Sequence, residues 1–254
     1  MQGVAHRAPR IKFCGITSVA DGELAVANGA WAIGLILWPE SKRACDPAEG
    51  IKISGALRRK AEVCGVFVNQ SLDEIAAYVD MLQLSMVQLH GEEGPAFATE
   101  VRRRTGAKVI KAQSVRLASD ILKIQAFHAI DYHLLDTYRE GERGGTGETF
   151  DWRMLERRST DVPLILSGGL TAENVAEAIA AADPFAVDVA SGTEASPGVK
   201  DPSKMKAFAD AVRATADEPE PAPAPRVHAP SPPDEPPAGA TPAGRRSPVR
   251  PASA

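Results

Sequence analysis

No stretch of about 18 consecutive apolar residues occurs in this chain, so nothing in it reads as a bilayer-spanning helix. Residues 1–9 lack an apolar h-region, so no secretory leader is expected. Cysteine is scarce as well. Cys14, Cys45 and Cys64 are an odd set without a CxxC pair, which excludes a disulfide framework and a zinc site. A reduced, cytoplasmic setting follows. A basic excess is also missing: the net charge of −4 argues against a nucleic-acid partner. Hydrophobic residues reach 44%, enough for a sizeable core in 254 residues, either as one large domain or as two small ones. A soluble protein is expected.

One boundary is set by what a segment lacks. Residues 217–254 hold 12 of the 20 prolines, no aromatic residue and two valines. Such a composition cannot bury enough apolar surface to offset its ordering entropy, so a disordered, partly polyproline-like tail is expected. Its charges nearly cancel, which favours an inert extension over a recognition arm. Residues 1–9 read as a flexible N-terminus, leaving 10–216 as the folded body.

That body alternates short apolar runs with helical patterns. The runs are Ile11–Ile16, Ala32–Leu37, Glu62–Val68, Met86–His90, Val109–Ala112, Tyr132–Asp136, Pro163–Ser167 and Ala186–Ala190. Near-continuous apolarity is the mark of parallel strands covered on both faces. Between them, Asp46-Pro47 supplies a cap and a first-turn proline. Ser71-Leu72-Asp73-Glu74 is a capping box ahead of Ile75, Val79 and Leu82 at helical spacing. Gly106 ends a helix over Pro95–Thr105. Thr171 caps a helix over Ala172–Ala181, and Asp201-Pro202 opens the last, Ser203–Ala214. Eight strands and eight helices in this length predict an α/β fold, a single (β/α)8 TIM barrel. An open doubly wound sheet is the alternative. It would more often carry a glycine-rich turn after strand 1, where this chain has Cys14-Gly15-Ile16-Thr17.

In such a barrel, function sits at the carboxyl ends of the strands. Gly168-Gly169 after strand 7 and Ser191-Gly192 after strand 8 fall in the recurrent phosphate-binding loops, where glycine lets backbone N–H groups approach the anion. Simple tight turns are the competing reading. Gly145 and Gly147, after strand 6, suit either phosphate contact or a closing loop. Cys14 and Asp136 end strands 1 and 6, which lie across the pore, and form a candidate base and acid for moving a proton between adjacent sugar carbons. The plain alternatives are a packing thiol and a capping carboxylate. Arg43 stands in the loop after strand 2, where a guanidinium suits a substrate carboxylate in bidentate fashion. His90, by itself, reads as a structural histidine. Lys12 shares the parity of Cys14 one step deeper and reads as a supporting polar layer. The residues themselves reach phosphosugar proton transfer and stop there.

The motifs go further. Lys-Phe-Cys-Gly-Ile-Thr at 12–17, Gly-Val-Phe-Val-Asn at 65–69 and Val-Gln-Leu-His-Gly at 87–91 stand in order. Leu-Leu-Asp at 134–136, Gly-Gly-Thr-Gly with Thr-Phe-Asp-Trp at 144–152, Leu-Ser-Gly-Gly-Leu at 166–170 and Pro-Gly-Val-Lys-Asp at 197–201 follow. Together they resemble the phosphoribosylanthranilate isomerase family of tryptophan biosynthesis over about residues 10 to 213. The resemblance implies an Amadori rearrangement that needs no cofactor and no metal. Asp136 would protonate the ribose ring oxygen, and Cys14 would remove the C2 proton. Arg43 would lie near the anthranilate carboxylate, with His90 and Asp188 as further polar positions. Amides around Gly145, Gly168, Gly169, Ser191 and Gly192 would hold the phosphate.

Three departures from the family pattern stand out. Lys42 replaces a common proline, Glu148 a common lysine and Ala190 a frequent serine, and none touches Cys14 or Asp136. The expected partner is a small phosphosugar, with no nucleic acid and no membrane, on a monomer or homodimer. Two rival readings are another phosphosugar isomerase barrel and a barrel kept as a binding module. The first would carry a carboxylate on strand 1 where this chain has Cys14. Intact Cys14 and Asp136 speak against the second.

Overall fold

A computed structural model describes residues 7–115, 118–136 and 158–216. The expected tail, the N-terminus up to residue 6, Gly145, Gly147 and Glu148 lie outside the described residues. Eight parallel strands close into a barrel in sequence order, β1 through β8. They are β1 Arg10–Cys14, β2 Ala30–Ile36, β3 Glu62–Phe67, β4 Met86–Leu89, β5 Lys108–Ser114, β6 Tyr132–Asp136, β7 Leu164–Ser167 and β8 Ala186–Val189. Every expected run is a strand, with ends within about two residues of those expected. The doubly wound alternative is excluded because β8 pairs with β1.

The described helices are α1 Val19–Ala27, α2 Pro47–Leu57, α3 Leu72–Leu82, α4 Pro95–Thr105, α5 Ala118–Ile124, α6 Val175–Ala182 and α7 Pro202–Arg213. The helix expected between β6 and β7 falls outside the described residues. Caps behave as their chemistry dictates. Ser71 and Glu74 close a reciprocal capping box on α3, and Asp46 accepts from two backbone amides at the start of α2. Gly106 takes φ 68° as α4 ends, a conformation open to glycine at little cost.

α6 corrects one expectation. It begins at Val175, later than Ala172, because the Asn174 side chain accepts from the Thr171 amide at 2.8 Å and folds the first residues into a turn. The Thr171 hydroxyl still accepts from the Glu173 amide at 3.3 Å, so its capping contact survives ahead of the regular helix.

Alternation along each strand builds two cores. Ile33, Leu35, Val87, Leu135 and Leu166 face outward against the helices, with Phe13 edge-on to Phe208 of α7. Ala32, Cys64, Met86, Ile110, Leu134, Ile165 and Ala186 fill the interior. At the amino end, Trp31, Tyr132 and Phe185 pack ring to ring beneath the Arg10 guanidinium and form a floor. The barrel is thus solid below and can hold ligand only above. Beyond β8 comes a feature the apolar pattern gave no sign of. A 3-10 turn, Ser191–Thr193, leads into a hairpin of β9 Glu194–Ser196 and β10 Val199–Lys200.

Candidate active site

Cys14 is the last residue of β1, and Gly15 turns the chain away at φ 75°. The register pairs Cys14 with Gly34 of β2, and a Cβ on residue 34 would lie 2.7 Å from the thiol sulfur. Glycine there makes the room that Sγ occupies. One layer deeper, the register pairs Lys12 with Asp188, and Nζ meets Oδ1 at 2.9 Å with both residues buried. Burial alone pushes the Lys12 ammonium down. Asp188 first, then Cys14 and Cys64, outweigh it and hold Lys12 charged, above the ordinary lysine range. Removing either partner would strand a buried charge, a loss of about 3–5 kcal/mol.

Burial pushes the Cys14 thiol up, with Asp188 adding to it, while Lys12 and Lys200 pull back. Cys14 is therefore a buried thiol whose ionisation two ammonium groups assist. Cys45 and Cys64 are also free and buried. Burial raises Cys64 to about 12, so it packs as a small hydrophobe.

Asp136 ends β6, level with Ser114 of β5 and Ser167 of β7. Around the ring, β6 is three strands from β1 by way of β8 and β7, one short of the diametrically placed β5. His90 follows β4, its Nε2 at 3.9 Å from the Asp136 carboxylate. The Gln88 amide donates to His90 Nδ1 at 3.0 Å, which leaves the proton of a neutral imidazole on Nε2, towards Asp136. Burial lowers the His90 pKa against the opposing pull of Asp136 and Asp188, so the ring is neutral in the ordinary pH range. His90 thus stands between Gln88 and Asp136. Among the described residues, Gln88 Oε1 is the one buried side-chain oxygen or nitrogen without a hydrogen-bond partner.

A cavity of about 330 Å³ opens at this end of the barrel, bounded by Arg43, Asp136, Gly168, Gly169, Asp188 and Ser191. Gly168 and Gly169 adopt φ 105° and 62°, values that side chains resist. At Gly192 an added Cβ would fall 2.0 Å from the Leu170 carbonyl oxygen, so the loops after β7 and β8 touch backbone to backbone.

Arg43 has a partner that sequence reasoning missed. Its Nε donates to both oxygens of Glu194, at 2.8 and 3.0 Å, and Nη2 donates to Oε2 at 2.7 Å. Burial pushes the Glu194 carboxyl up, but Arg43 and Lys200 outweigh it and keep it ionised below its ordinary value. Lys200, equally unforeseen, is buried 3.6 Å from Glu194 and donates to the Ala190 carbonyl at 2.9 Å beneath the 3-10 turn. The loop carrying Arg43 is tied by hydrogen bonds from Ser41 N to Trp38 O and from Arg43 N to Ser41 Oγ, each 3.1 Å.

Among the described residues, no grouping of three or more His, Cys, Asp or Glu side chains could hold a metal ion. Nor is any described helix long and apolar enough to cross a membrane.

Cys14, Asp136, Arg43 and the glycine loops therefore stand at one rim of the barrel, and the chain is similar to known proteins in sequence and in fold. The sequence model of N-(5'phosphoribosyl)anthranilate (PRA) isomerase matches residues 11–211. The N-(5'-phosphoribosyl)anthranilate isomerase of Chromohalobacter salexigens is 44% identical over 207 residues, covering 81% of this chain and 95% of that protein. The protein of the same name from Geotalea uraniireducens is 41% identical over 199 residues, covering 78% and 96%. Among solved structures, the phosphoribosyl anthranilate isomerase of Thermotoga maritima superposes with a TM-score of 0.75 at 40% identity, covering 81% of this chain and 99% of that one. Another, solved in complex with reduced 1-(o-carboxyphenylamino)-1-deoxyribulose 5-phosphate, gives a TM-score of 0.69 at 37% identity, with 81% and 99% covered. This chain belongs to the N-(5'-phosphoribosyl)anthranilate isomerase family.

Proposed function

We propose that the chain converts N-(5-phosphoribosyl)anthranilate to 1-(2-carboxyphenylamino)-1-deoxyribulose 5-phosphate, with Asp136 as acid and Cys14 as base. The observation that carries this reading is the cavity that joins Asp136, Arg43 and the Gly168-Gly169 and Ser191 loops, with Cys14 at the end of the adjoining β1. The phosphate enters between the two glycine loops, where backbone amides meet it at close range. Arg43 takes the anthranilate carboxylate.

Asp136 gives its proton to the ribose ring oxygen, the C1–O bond breaks, and nitrogen supplies the electron pair that forms a cationic Schiff base. That cation acidifies the C2 proton. Cys14, as thiolate, removes it, and the C2–H electron pair flows into the C1–C2 bond to give an enolamine. Loss of the C2 hydroxyl proton and protonation at C1 complete the ketone. The substrate and product are isomers, so nothing else is consumed. Lys12, joined to Asp188 below, lowers the cost of the thiolate at the step that needs it. His90 directs its Nε2 proton to Asp136, and Asp188, which lines the cavity, holds Lys12 in place.

The reading sets the reaction in the cytoplasm, on a monomer or a homodimer. One solved relative, from Thermotoga maritima, is described as dimeric. The test is a coupled assay with substrate generated in situ. Cys14→Ser and Asp136→Asn should each lower kcat by about three orders of magnitude or more. Turnover at the wild-type rate in either variant would remove that residue from the chemistry.

A further inference from the structure

Arg43 comes to the cavity with one edge of its guanidinium already engaged. Nε and Nη2 are bound side-on by Glu194, which leaves the Nη1–Nη2 fork as the second bidentate edge. The two side chains differ in exposure. Glu194 is 4% exposed and Arg43 27%, so the carboxylate is the anchored end and the guanidinium the presented one. The anchor is itself held, by the Gly198 amide at 3.3 Å and by the β9–β10 register that sets Lys200 opposite Glu194. The stem of Arg43 is boxed in as well. A Cβ on Gly15 would lie 3.1 Å from Arg43 Cδ, and one on Gly198 3.7 Å from Arg43 Cα.

Charge completes the argument. A lone Arg43–Glu194 pair would be neutral and would attract no anion. Lys200, 3.6 Å from Glu194, makes two cations share one carboxylate; burial lowers the Lys200 pKa and Glu194 opposes that fall, so these three side chains together remain net positive. We infer that Glu194 is a positioning residue that sets the second fork of Arg43 for the anthranilate carboxylate, with Lys200 preserving the attraction. This rests on the proposed role of Arg43. The benefit is preorganisation: a long, flexible side chain is ordered before substrate arrives, so substrate binding does not bear that entropy.

The test compares two substrates within each variant. One is N-(5-phosphoribosyl)anthranilate; the other is N-(5-phosphoribosyl)aniline, which lacks the carboxylate. The ratio of their kcat/KM values cancels any loss of folded enzyme. Arg43→Ala should bring the ratio close to one. Glu194→Gln, which keeps the shape but loses one acceptor and the charge, should lower it about tenfold or more. A plain charge effect has the opposite sign, because removing the negative Glu194 would strengthen attraction for the carboxylate. An unchanged or raised ratio in Glu194→Gln, with Arg43→Ala collapsed, overturns the inference and leaves the role of Arg43 standing. A wild-type ratio in Arg43→Ala overturns both.

Discussion

Cys14 and Gly34 stand opposite each other in the β1–β2 register, and the thiol sulfur sits where a side chain on residue 34 would have to begin. An alanine Cβ would lie 2.7 Å from Sγ and 3.2 Å from Cys14 Cα, so both the rotamer and the strand would have to yield. Gly34→Ala should therefore fold, at a cost of about 1–3 kcal/mol for overpacking, and lose far more activity than stability. A displacement on the order of 1 Å at a reacting group lowers rates by about a hundredfold. Thermal melting and kcat, measured on one preparation, separate the two effects. Wild-type kcat in a folded Gly34→Ala would show that the thiol does not depend on that space.

The raised Cys14 pKa gives the proposed chemistry a pH signature. The working form carries its proton on Asp136 and none on Cys14. It contains as many protons as the form with ionised Asp136 and intact thiol, so both persist at a constant ratio between the two macroscopic pKa values. kcat/KM should consequently be flat through neutrality and should not climb as the thiol ionises. It should fall below the lower of these two values, where both groups are protonated, and on the alkaline side only beyond the ordinary thiol value of 9.0, because burial has pushed Cys14 upward. A kcat/KM that rises steadily from pH 7 to 9 would contradict an acid and base that share one proton.

The barrel was legible because strands buried on both faces read as apolar runs, and Tyr132–Asp136 was bounded correctly at both ends. Cys14 and Asp136 were legible for a related reason: chemistry-bearing residues that end apolar runs stand at the functional rim. Glu194 was not. Its partner Arg43 lies 151 positions away, and nothing local marks a glutamate five residues past Val189 as facing inward. Lys200 sits inside a recognised motif, but a lysine in a short hairpin reads as a surface charge until the register sets it against Glu194. The late start of α6 was hidden similarly. Thr171 announces a cap, and the competing hydrogen bond to Asn174 is a matter of side-chain geometry.

His133 shows how a group outside the chemistry sets the acid limit of the fold. It faces outward from β6 and is fully buried, with its ring nitrogens 2.9 Å from the Phe127 carbonyl and 3.5 Å from Arg158 Nη1. Nε2 donates to the carbonyl, so the neutral ring has Nδ1 left to accept from the guanidinium. A second proton would have no acceptor and would face Arg158. Burial above all, with Arg158 adding to it against the Phe127 hydrogen bond, lowers the pKa to about 4 from 6.5.

The sign of its effect on stability follows from that shift. Between pH 6.5 and about 4 the unfolded chain binds a proton that the folded chain refuses, so stability is full above pH 6.5 and falls as pH drops towards 4. The loss is on the order of 3 kcal/mol, at about 1.4 kcal/mol per pKa unit. Urea unfolding of wild type and His133→Gln at pH 7.5 and pH 4.5 isolates it, because ionised carboxylates such as Glu93 and Glu194 titrate alike in both proteins. The wild type should lose about 2 kcal/mol more than the variant over that interval. Equal losses would mean that His133 keeps an ordinary pKa in the fold, and that acid sensitivity arises from the carboxylates.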